Sequence, residues 1–203
     1  MTAPALDNAG WPTDTRQRLL DVALALFIRH SFAGTSLQMI ADELGFTKAA
    51  IYYHFRTREQ LLIAAMEPIL HQIRPVIEAA DRQRTAHARA ESMLSGYADV
   101  VARNRSVAAV LTSDPSVRGV LRDQPEWSDV IERQMALLAE PEPGPAGIIK
   151  ATAILTGLAG AAAGAAADID EDSLRQQFLD IGRRVLGLRT PRRHRVDAAT
   201  LSR

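Results

Sequence analysis

Apolar residues recur at three- and four-residue spacing along almost the whole chain, and no stretch alternates apolar with polar residues as a half-buried strand does. In the first such segment Leu20, Ala23, Leu24 and Phe27 form one stripe. Hydrophobic residues make up 47% of the chain, which is enough for a packed core. The sequence therefore predicts an all-α fold, whose first helix covers about residues 13–30.

A glycine-containing turn separates two short amphipathic segments further along the chain. Thr35 and Gln38 have the spacing of a capping box at the start of the first segment, which lasts about two turns. Gly45 suits the left-handed stop of a helix, and Thr47 can cap a second helix over about residues 48–55. Two short helices joined by a tight turn are the layout of a helix-turn-helix.

The second short helix divides cleanly by face. Ile51 and Phe55 lie one turn apart and are expected to pack inward. The outer face then carries a lysine, a small residue and two tyrosines, which are Lys48, Ala49, Tyr52 and Tyr53. A lysine can reach a base edge or a phosphate, tyrosine hydroxyls can donate to phosphate, and alanine permits close approach to the groove. Eight helical residues span about 12 Å, which matches the width of the major groove.

The overall charge of the chain gives no sign of DNA binding. The formal net charge is zero, and acidic and basic residues also balance over residues 1–60. A DNA-binding prediction therefore rests on where the charges sit and not on their sum.

The segment around the turn resembles the DNA-binding signature of the TetR family of transcriptional regulators. The resemblance covers about residues 13–63, and the remainder resembles the family only in length, helical character and placement. The positions that agree in order are Gly34-Thr35-Ser36-Leu37, Ile40-Ala41, Leu44-Gly45-Phe46-Thr47-Lys48, Ile51-Tyr52-Tyr53-His54-Phe55, Arg58-Glu59 and Leu61-Leu62. It implies an N-terminal three-helix helix-turn-helix domain followed by a larger helical domain for ligand binding and dimerisation.

The resemblance also implies roles for single residues. Thr35 and Ser36 would cap the second helix and touch phosphate, and Gln38 stands where family members often read a base. The predicted DNA contacts are Thr35, Ser36, Gln38, Thr47, Lys48, Ala49, Tyr52, Tyr53, His54 and Arg58, with Arg56 as a weaker candidate. Structural roles remain open for some of them: the threonines can serve as caps alone, Tyr53 can be half-buried, and His54 can pack on the helix pair.

A longer helix is expected to connect the two domains. Thr57 and Gln60 form a second capping box, and the helix should reach about Ala79, with Pro68 and Pro75 kinking or ending it. Further helices are expected near residues 85–104, 106–113, 125–139, 147–167 and 171–187, with breaks at Pro115 and over 141–145.

The segment from Ile148 to Ala167 is rich in small and apolar residues. It is a poor membrane span because Lys150 interrupts its start and no aromatic belt flanks it, so a soluble helix that is buried on most sides and approaches a partner helix closely is expected. By the resemblance, the last two long helices form a four-helix interface with their mates in a homodimer. The predicted interface residues are Gly157, Gly160, Gly164, Leu174, Phe178, Ile181 and Val185.

The resemblance implies a small-molecule effector, and the apolar residues of the larger domain suggest that it is hydrophobic. Candidate lining residues are Met66, Ile69, Leu70, Ile73, Met93, Tyr97, Val101, Leu111, Trp127 and Ile131. Each can equally be ordinary core. The predicted function is a repressor that binds a palindromic operator as a dimer and is released by its effector.

The expected divisions of the chain are a flexible leader over 1–12, the helix-turn-helix domain over 13–60, the effector and dimerisation domain over 61–188, and a flexible basic tail over 189–203. The first residues lack a secretory signal pattern, and the absence of cysteine suits the cytoplasm. No cofactor and no metal site are predicted.

Other classes of protein are weighed against this interpretation. No HExxH, GxSxG, P-loop or strand-linked GxGxxG motif occurs, so enzymatic activity is not expected. Two alternatives share the DNA prediction: a helix-turn-helix protein without an effector, and an activator of transcription.

Overall fold

The computed structural model describes residues 13–189, and this part of the chain folds into ten α-helices without a strand. In chain order they are α1 (Thr13–Gly34), α2 (Leu37–Leu44), α3 (Lys48–His54), α4 (Arg58–Asp81), α5 (Ala86–Arg103), α6 (Arg105–Ser113), α7 (Pro115–Arg122), α8 (Pro125–Ala139), α9 (Pro145–Gly164) and α10 (Glu171–Leu186). The all-α prediction is confirmed. The predicted leader, and the predicted tail beyond Arg189, lie outside the described residues.

The first helix packs its predicted stripe inward. Ala23 and Phe27 are fully buried, and α1 contacts α2, α4 and α6. Ser31 has φ 64° and ψ 163°, so regular helix geometry stops there and one short turn follows up to Gly34. This backbone region is essentially reserved for glycine, which makes the break in α1 a strained point. The break also explains why the apolar pattern predicts an end near residue 30.

The connecting helix α4 is longer than its two prolines suggest. Pro68 and Pro75 both lie inside the helix, which continues to Asp81. An interior proline removes one backbone hydrogen bond, but both prolines are exposed while the buried stripe continues past them. That stripe comprises Leu62, Met66, Ile69, Ile73 and Ile77. The predicted reach to about Ala79 is confirmed, and neither proline ends the helix, because burial of the stripe holds it together.

Pro115 begins a helix that the sequence analysis does not anticipate. It stands at the start of α7, and the Asp114 side chain before it accepts a hydrogen bond from the Ser116 N–H. Proline is well tolerated in the first turn, where its missing donor would be unpaired anyway. Pro125 and Pro145 begin α8 and α9 in the same way. The predicted break over 141–145 is confirmed, since α8 ends at Ala139.

The buried side chains form one continuous cluster that runs from Leu19 to Leu188. Within it, α5 lies close to both α4 and α10 because glycine stands at each contact. A Cβ on Gly96 would lie 2.3 Å from Val76 Cγ1, and one on Gly182 would lie 2.3 Å from Leu94 Cδ1. The continuous core and the shared helix α4 join the α1–α3 unit to the remaining helices. The proposed division of the chain after residue 60 stays a prediction.

Candidate nucleic-acid interface

The turn between α2 and α3 is built by one glycine. Gly45 has φ 68°, its N–H donates to Asp42 O at 3.2 Å, and the Phe46 N–H donates to Ala41 O at 2.9 Å. This pair of bonds is the Schellman motif, which ends a helix and turns the chain sharply. The predicted left-handed stop at Gly45 is confirmed, and it sets the angle at which α3 leaves α2.

Side-chain caps begin both helices of the pair, although one cap differs from the prediction. Thr47 accepts from the Ala50 N–H at 3.2 Å, as expected. The cap of α2 is Ser36, which accepts from the Met39 N–H at 3.2 Å. Thr35 is only 2% exposed, and its hydroxyl donates to Ser31 O and Leu26 O. The predicted capping box and phosphate contact of Thr35 are therefore wrong, because its hydroxyl braces the end of α1.

The two faces of α3 are as the sequence predicts. Ile51 is fully buried, and Phe55 after the helix packs partly buried against the core. Lys48, Ala49, Tyr52 and Tyr53 are all exposed. Tyr53 has 82% of its surface exposed, which rules out the half-buried alternative. The exposed face of α3 thus presents one cation, two phenol hydroxyls and one small side chain.

Two contacts with aromatic rings involve side chains of this exposed face, and they leave the charge of Lys48 in place. Lys48 Nζ lies 5.2 Å from the centroid of the Tyr52 ring, and the rings of Tyr53 and His54 meet edge-on at 4.9 Å. A cation over an aromatic face keeps its charge. Among the described residues Lys48 makes no ion pair with an acid, so its ammonium group can meet an anion.

Two other predicted contacts are occupied within the chain. Gln38 is exposed, and its Nε2 donates to Asp42 Oδ1 at 2.7 Å. The guanidinium of Arg58 donates to Ala33 O at 2.7 Å and lies 4.8 Å from the Phe32 ring. Arg58 therefore ties α4 to the end of α1, whereas Arg56, the weaker candidate, is exposed. Within residues 13–189 the Arg56 side chain has no ion-pair partner.

A carboxylate from the larger part of the chain holds the same end of α1. Asp114, which is buried between α6 and α7, accepts from the Ala33 N–H at 3.0 Å and from the Ser116 hydroxyl at 2.6 Å. The bond from the Ser116 hydroxyl, followed by the one from the Ala33 N–H, lowers the pKa of the Asp114 carboxyl. The backbone of Ala33 is thus held on its N–H side by Asp114 and on its carbonyl side by Arg58.

A cavity of about 490 Å³ lies among α4–α9, and it is lined mostly by apolar side chains. Its size falls in the range of small-molecule sites, roughly 300–1,000 Å³. The predicted residues that line it are Ile69, Ile73, Tyr97, Val101, Leu111, Trp127 and Ile131. Met66, Leu70 and Met93 are buried but do not line it, because their side chains belong to the solid core.

Asp114 and Gln134 are not among the residues predicted from the sequence, although the sequence carries a signal for each. Asp114 precedes Pro115, and this pair is typical of a helix start. Gln134 lines the cavity and follows Trp127 and Ile131 at i+7 and i+3, so it shares their helix face. A polar residue in line with an apolar stripe is the pattern that would have found it.

The predicted dimer residues fall into two groups. Gly157, Gly160 and Gly164 are exposed, and a Cβ on any of them would meet nothing within 4 Å. Ile181 is 47% exposed, and Val185 is partly buried. Leu174 and Phe178 are 6% and 2% exposed because they pack in the core of their own protomer. These two side chains are not available to a partner.

These features define a class of protein: a helix-turn-helix unit, whose second helix faces outward, carried by a larger helical bundle that encloses an apolar cavity. Within residues 13–189 no group of three or more His, Asp or Glu side chains could hold a metal ion.

The N-terminal part of the chain is similar in sequence to known transcriptional regulators. Residues 19–65 match the model of the bacterial regulatory proteins of the tetR family. The HTH-type transcriptional regulator AcrR of Shigella flexneri is 48% identical over 48 residues, which are 24% of this chain and 22% of AcrR. A probable acrEF/envCD operon repressor of Escherichia coli K12 is 45% identical over 47 residues, which are 23% of this chain and 21% of the repressor. The sequence matches therefore span only about a fifth of either relative.

The fold similarity extends over most of the chain. The structure of the ketosteroid transcriptional regulator KstR2 of Mycobacterium tuberculosis superposes with a TM-score of 0.64 at 19% identity, covering 89% of this chain and 97% of that one. Residues 19–65 thus match the tetR family, and the chain has the same fold as a solved transcriptional regulator.

The turn geometry leads to a first prediction. Replacing Gly45 with alanine should lower the free energy of unfolding by about 1–2 kcal/mol, because φ 68° is unfavourable for a residue with a Cβ. Gly119→Ala is the matched control, since both glycines have open space around the Cβ position but Gly119 lies inside a helix. Alanine at 119 should raise stability by up to about 1 kcal/mol. Urea denaturation measures both, and equal effects would contradict the assigned role of Gly45.

Proposed function

We propose that this chain is a ligand-responsive transcriptional repressor of the cytoplasm, which binds a palindromic operator as a homodimer and leaves it when a small apolar effector binds. The observation that carries the proposal is the exposed face of α3, which offers Lys48, Tyr52 and Tyr53 beside the small Ala49. The seven residues of α3 are about 10 Å long, which fits a major groove about 12 Å wide. The E. coli relative named as an operon repressor supports repression over activation.

The surroundings of α3 suit a phosphate backbone. Ser36 and Thr47 stand at the exposed N-termini of α2 and α3, where backbone N–H groups and the helix dipole attract anions. Lys48 and Arg56 add two cations without acidic partners among the described residues. Phosphate contacts orient the protein, while Lys48 is the side chain that we expect to meet base edges.

A second copy of the chain would provide the symmetry that a palindrome needs. The exposed glycines of α9 leave a flat strip beside Ile149, which is 68% exposed, and Ile181 of α10 is 47% exposed. By length and composition alone α9 could cross a membrane, and only 33% of its most apolar window is buried. Apolar surface of this extent on two packed helices favours association with a like surface. Twofold-related recognition helices would then address half-sites about 34 Å apart.

The contacts of Ala33 with Asp114 and Arg58, which form the Ala33 junction, connect the region of the cavity with the helix-turn-helix. Leu111 and Leu121 line the cavity from α6 and α7, and Asp114 sits between these two helices. A ligand that spreads α6 and α7 would move Asp114 and, through the Ala33 N–H, the end of α1. To move the population from 1:99 to 99:1, the ligand must bind the released state better by about 5.5 kcal/mol.

The central test uses operator fragments selected from genomic DNA with the purified protein, followed by mobility-shift titration. Lys48→Ala should weaken binding and lower the salt slope by about one unit for each phosphate contact that is lost. Tyr52→Phe removes only a hydroxyl and should weaken binding by up to roughly tenfold. Arg84→Ala is the control, because it removes a charge just beyond the C-terminal end of α4, whose 24 residues span roughly 36 Å. If both α3 variants bind the operator with wild-type affinity, the exposed face of α3 is not the DNA contact.

The dimer surface is tested with a bulky residue. Gly157→Leu should convert dimers to monomers in light scattering, because leucine keeps the two helices apart. Gly157 is preferred to Gly160, which also borders the cavity. Gly119→Leu is the control at another open glycine, outside α9. A Gly157→Leu dimer of wild-type stability would place the interface elsewhere.

The junction is tested through Asp114. An asparagine side chain cannot accept hydrogen bonds at both of its terminal atoms, so Asp114→Asn should lose the Ala33 link and about 1–3 kcal/mol of unfolding free energy. The lowered pKa means that this contribution is complete above the unfolded pKa of about 3.9 and disappears as pH falls through the folded value. The difference between wild type and Asp114→Asn should therefore shrink as the pH falls below about 4. Asp123→Asn, at the exposed end of α7, should stay within about 0.5 kcal/mol of wild type.

A further inference from the structure

The lining of the cavity includes exposed side chains, which mark where the cavity opens to solvent. The exposed lining residues are Arg118 and Arg122 of α7, together with Thr152, Thr156 and Gly160 of α9. Among the described residues that line the cavity, the two arginines are the only charged ones, and no aspartate or glutamate is among them. The opening at α7 is therefore positively charged, whereas the rest of the wall is uncharged.

The two arginines lie on one edge of α7. Arg118 and Arg122 are one helical turn apart, so their Cβ atoms are about 5–6 Å from each other. Each follows a buried residue, Val117 or Leu121, and Leu121 also lines the cavity. The arginines therefore stand at the border between the buried face of α7 and solvent. From this border both guanidinium groups can reach one ligand group at the mouth of the cavity.

No acidic side chain neutralises these arginines within residues 13–189. Neither Arg118 nor Arg122 makes an ion pair. Asp114 precedes them at the start of α7, but it is buried and its oxygens already accept hydrogen bonds from other groups. Asp123 follows Arg122 and is exposed, without an ion pair of its own. Two unpaired guanidinium groups beside an apolar cavity favour a ligand with a negative charge.

The interior of the cavity determines how such a ligand must lie. Its wall is mostly apolar, and burial of a carboxylate or phosphate there without a charged partner is costly. The apolar part of the ligand is therefore expected inside the cavity and the acidic group at the mouth. There the acidic group stays in contact with water and meets guanidinium groups, which form paired hydrogen bonds with carboxylates and phosphates.

The exposed part of the lining on α9 carries no charged group. The hydroxyls of Thr152 and Thr156 donate to Ile148 O and Thr152 O within the same helix. In the proposed dimer a second copy would cover this part of α9. The helix α7 packs mainly against α1, α6 and α8, which leaves the opening at the two arginines for the ligand.

We propose that the cavity binds an amphipathic anion, whose apolar body fills the cavity and whose acidic group, a carboxylate or a phosphate, is held at the mouth by Arg118 and Arg122. The inference rests on the proposed function only in taking the cavity for the effector site. It adds a ligand contact on α7, whose N-cap residue Asp114 accepts from the Ala33 N–H at the end of α1. The charge of the ligand thus acts on the helix that contacts the helix-turn-helix unit.

Two matched pairs of probes test the acidic group. Decanoate and decanamide are flexible, para-phenylbenzoate and para-phenylbenzamide are rigid, and each pair exchanges a carboxylate for an uncharged amide of the same shape. Isothermal calorimetry with the full chain and no DNA should show at least one acid binding roughly three- to thirtyfold more tightly than its amide, because two exposed ion pairs contribute. The difference should shrink in 1 M salt, where the screening length is about 3 Å. Absence of binding by all four probes, or no acid bound more tightly than its amide, overturns the proposal.

Substitution of both arginines shows whether the preference belongs to them. The Arg118→Gln/Arg122→Gln variant should bind the acid and its amide equally. The Arg118→Glu/Arg122→Glu variant has side chains of the same shape and should bind the acid more weakly than the amide. Arg84→Gln is the matched control, because this exposed arginine does not line the cavity, and it should keep the wild-type preference.

Circular dichroism checks the fold of each variant, and the single variants, each expected to lose part of the preference, replace a double variant that does not fold. A preference that survives undiminished in the folded glutamine variants, or equal binding of the acid by the glutamine and glutamate variants, overturns the proposal.

A further probe and a DNA-binding assay complete the test. Decyl phosphate identifies the kind of acid: tighter binding than decanoate supports a phosphate ester as the ligand, and weaker binding supports a carboxylic acid. Mobility shift with the selected operator separates the two levels of the argument. An acid preference without release of DNA supports the ligand chemistry and contradicts the effector role. Release of DNA by an acid and its amide at equal concentrations supports the proposed function and overturns this inference.

Discussion

The fixed position of the helix-turn-helix on the rest of the chain depends on how the end of α1 is held. The regular geometry of α1 ends at Ser31. In the turn that follows, the peptide groups on either side of Ala33 form hydrogen bonds with two different side chains. Asp114 binds the Ala33 N–H from the α6–α7 junction, and Arg58 binds the Ala33 carbonyl from the start of α4. Both contacts are charge-assisted, and such bonds are shorter and stronger than neutral ones. A small shift of Asp114 or Arg58 would therefore move the end of α1 directly.

The α3 surface on the outer side and the region of the cavity on the inner side each contain an unusual side-chain environment. On the outer side, α3 shows Tyr53 and Lys48 to solvent although tyrosine in a small domain is commonly packed away. On the inner side, Gln134 Oε1 is buried without a donor although buried polar atoms are normally paired. Each exception has a free-energy cost for the isolated protomer. The proposed function accounts for the first of these costs, through DNA at α3.

Local sequence signals predict the local structure well. Gly45 and Thr47 define the turn and the cap of α3, and the i, i+4 spacing of Ile51 and Phe55 predicts its inner face. The wrong predictions concern residues whose role depends on contacts with parts of the chain that are distant in sequence. Thr35 looks like a cap in sequence, but it lies under α1 and donates to Leu26 O. Leu174 and Phe178 form an apolar stripe, and the sequence cannot tell whether such a stripe packs within one protomer or against a second one. In the structure both side chains are buried within their own chain.

The amino-acid sequence alone determined the all-α class, the helix-turn-helix and the identity of the side chains that α3 presents, because these depend on spacing within a few turns of one helix. Only the tertiary structure decided that Arg58 binds Ala33 instead of remaining free, that Asp114 reaches the same residue across the fold, and that Gln134 ends in a cavity. The physical reason is distance along the chain: Ala33 and Asp114 are separated by 81 positions, and no periodicity records which distant groups meet when helices pack.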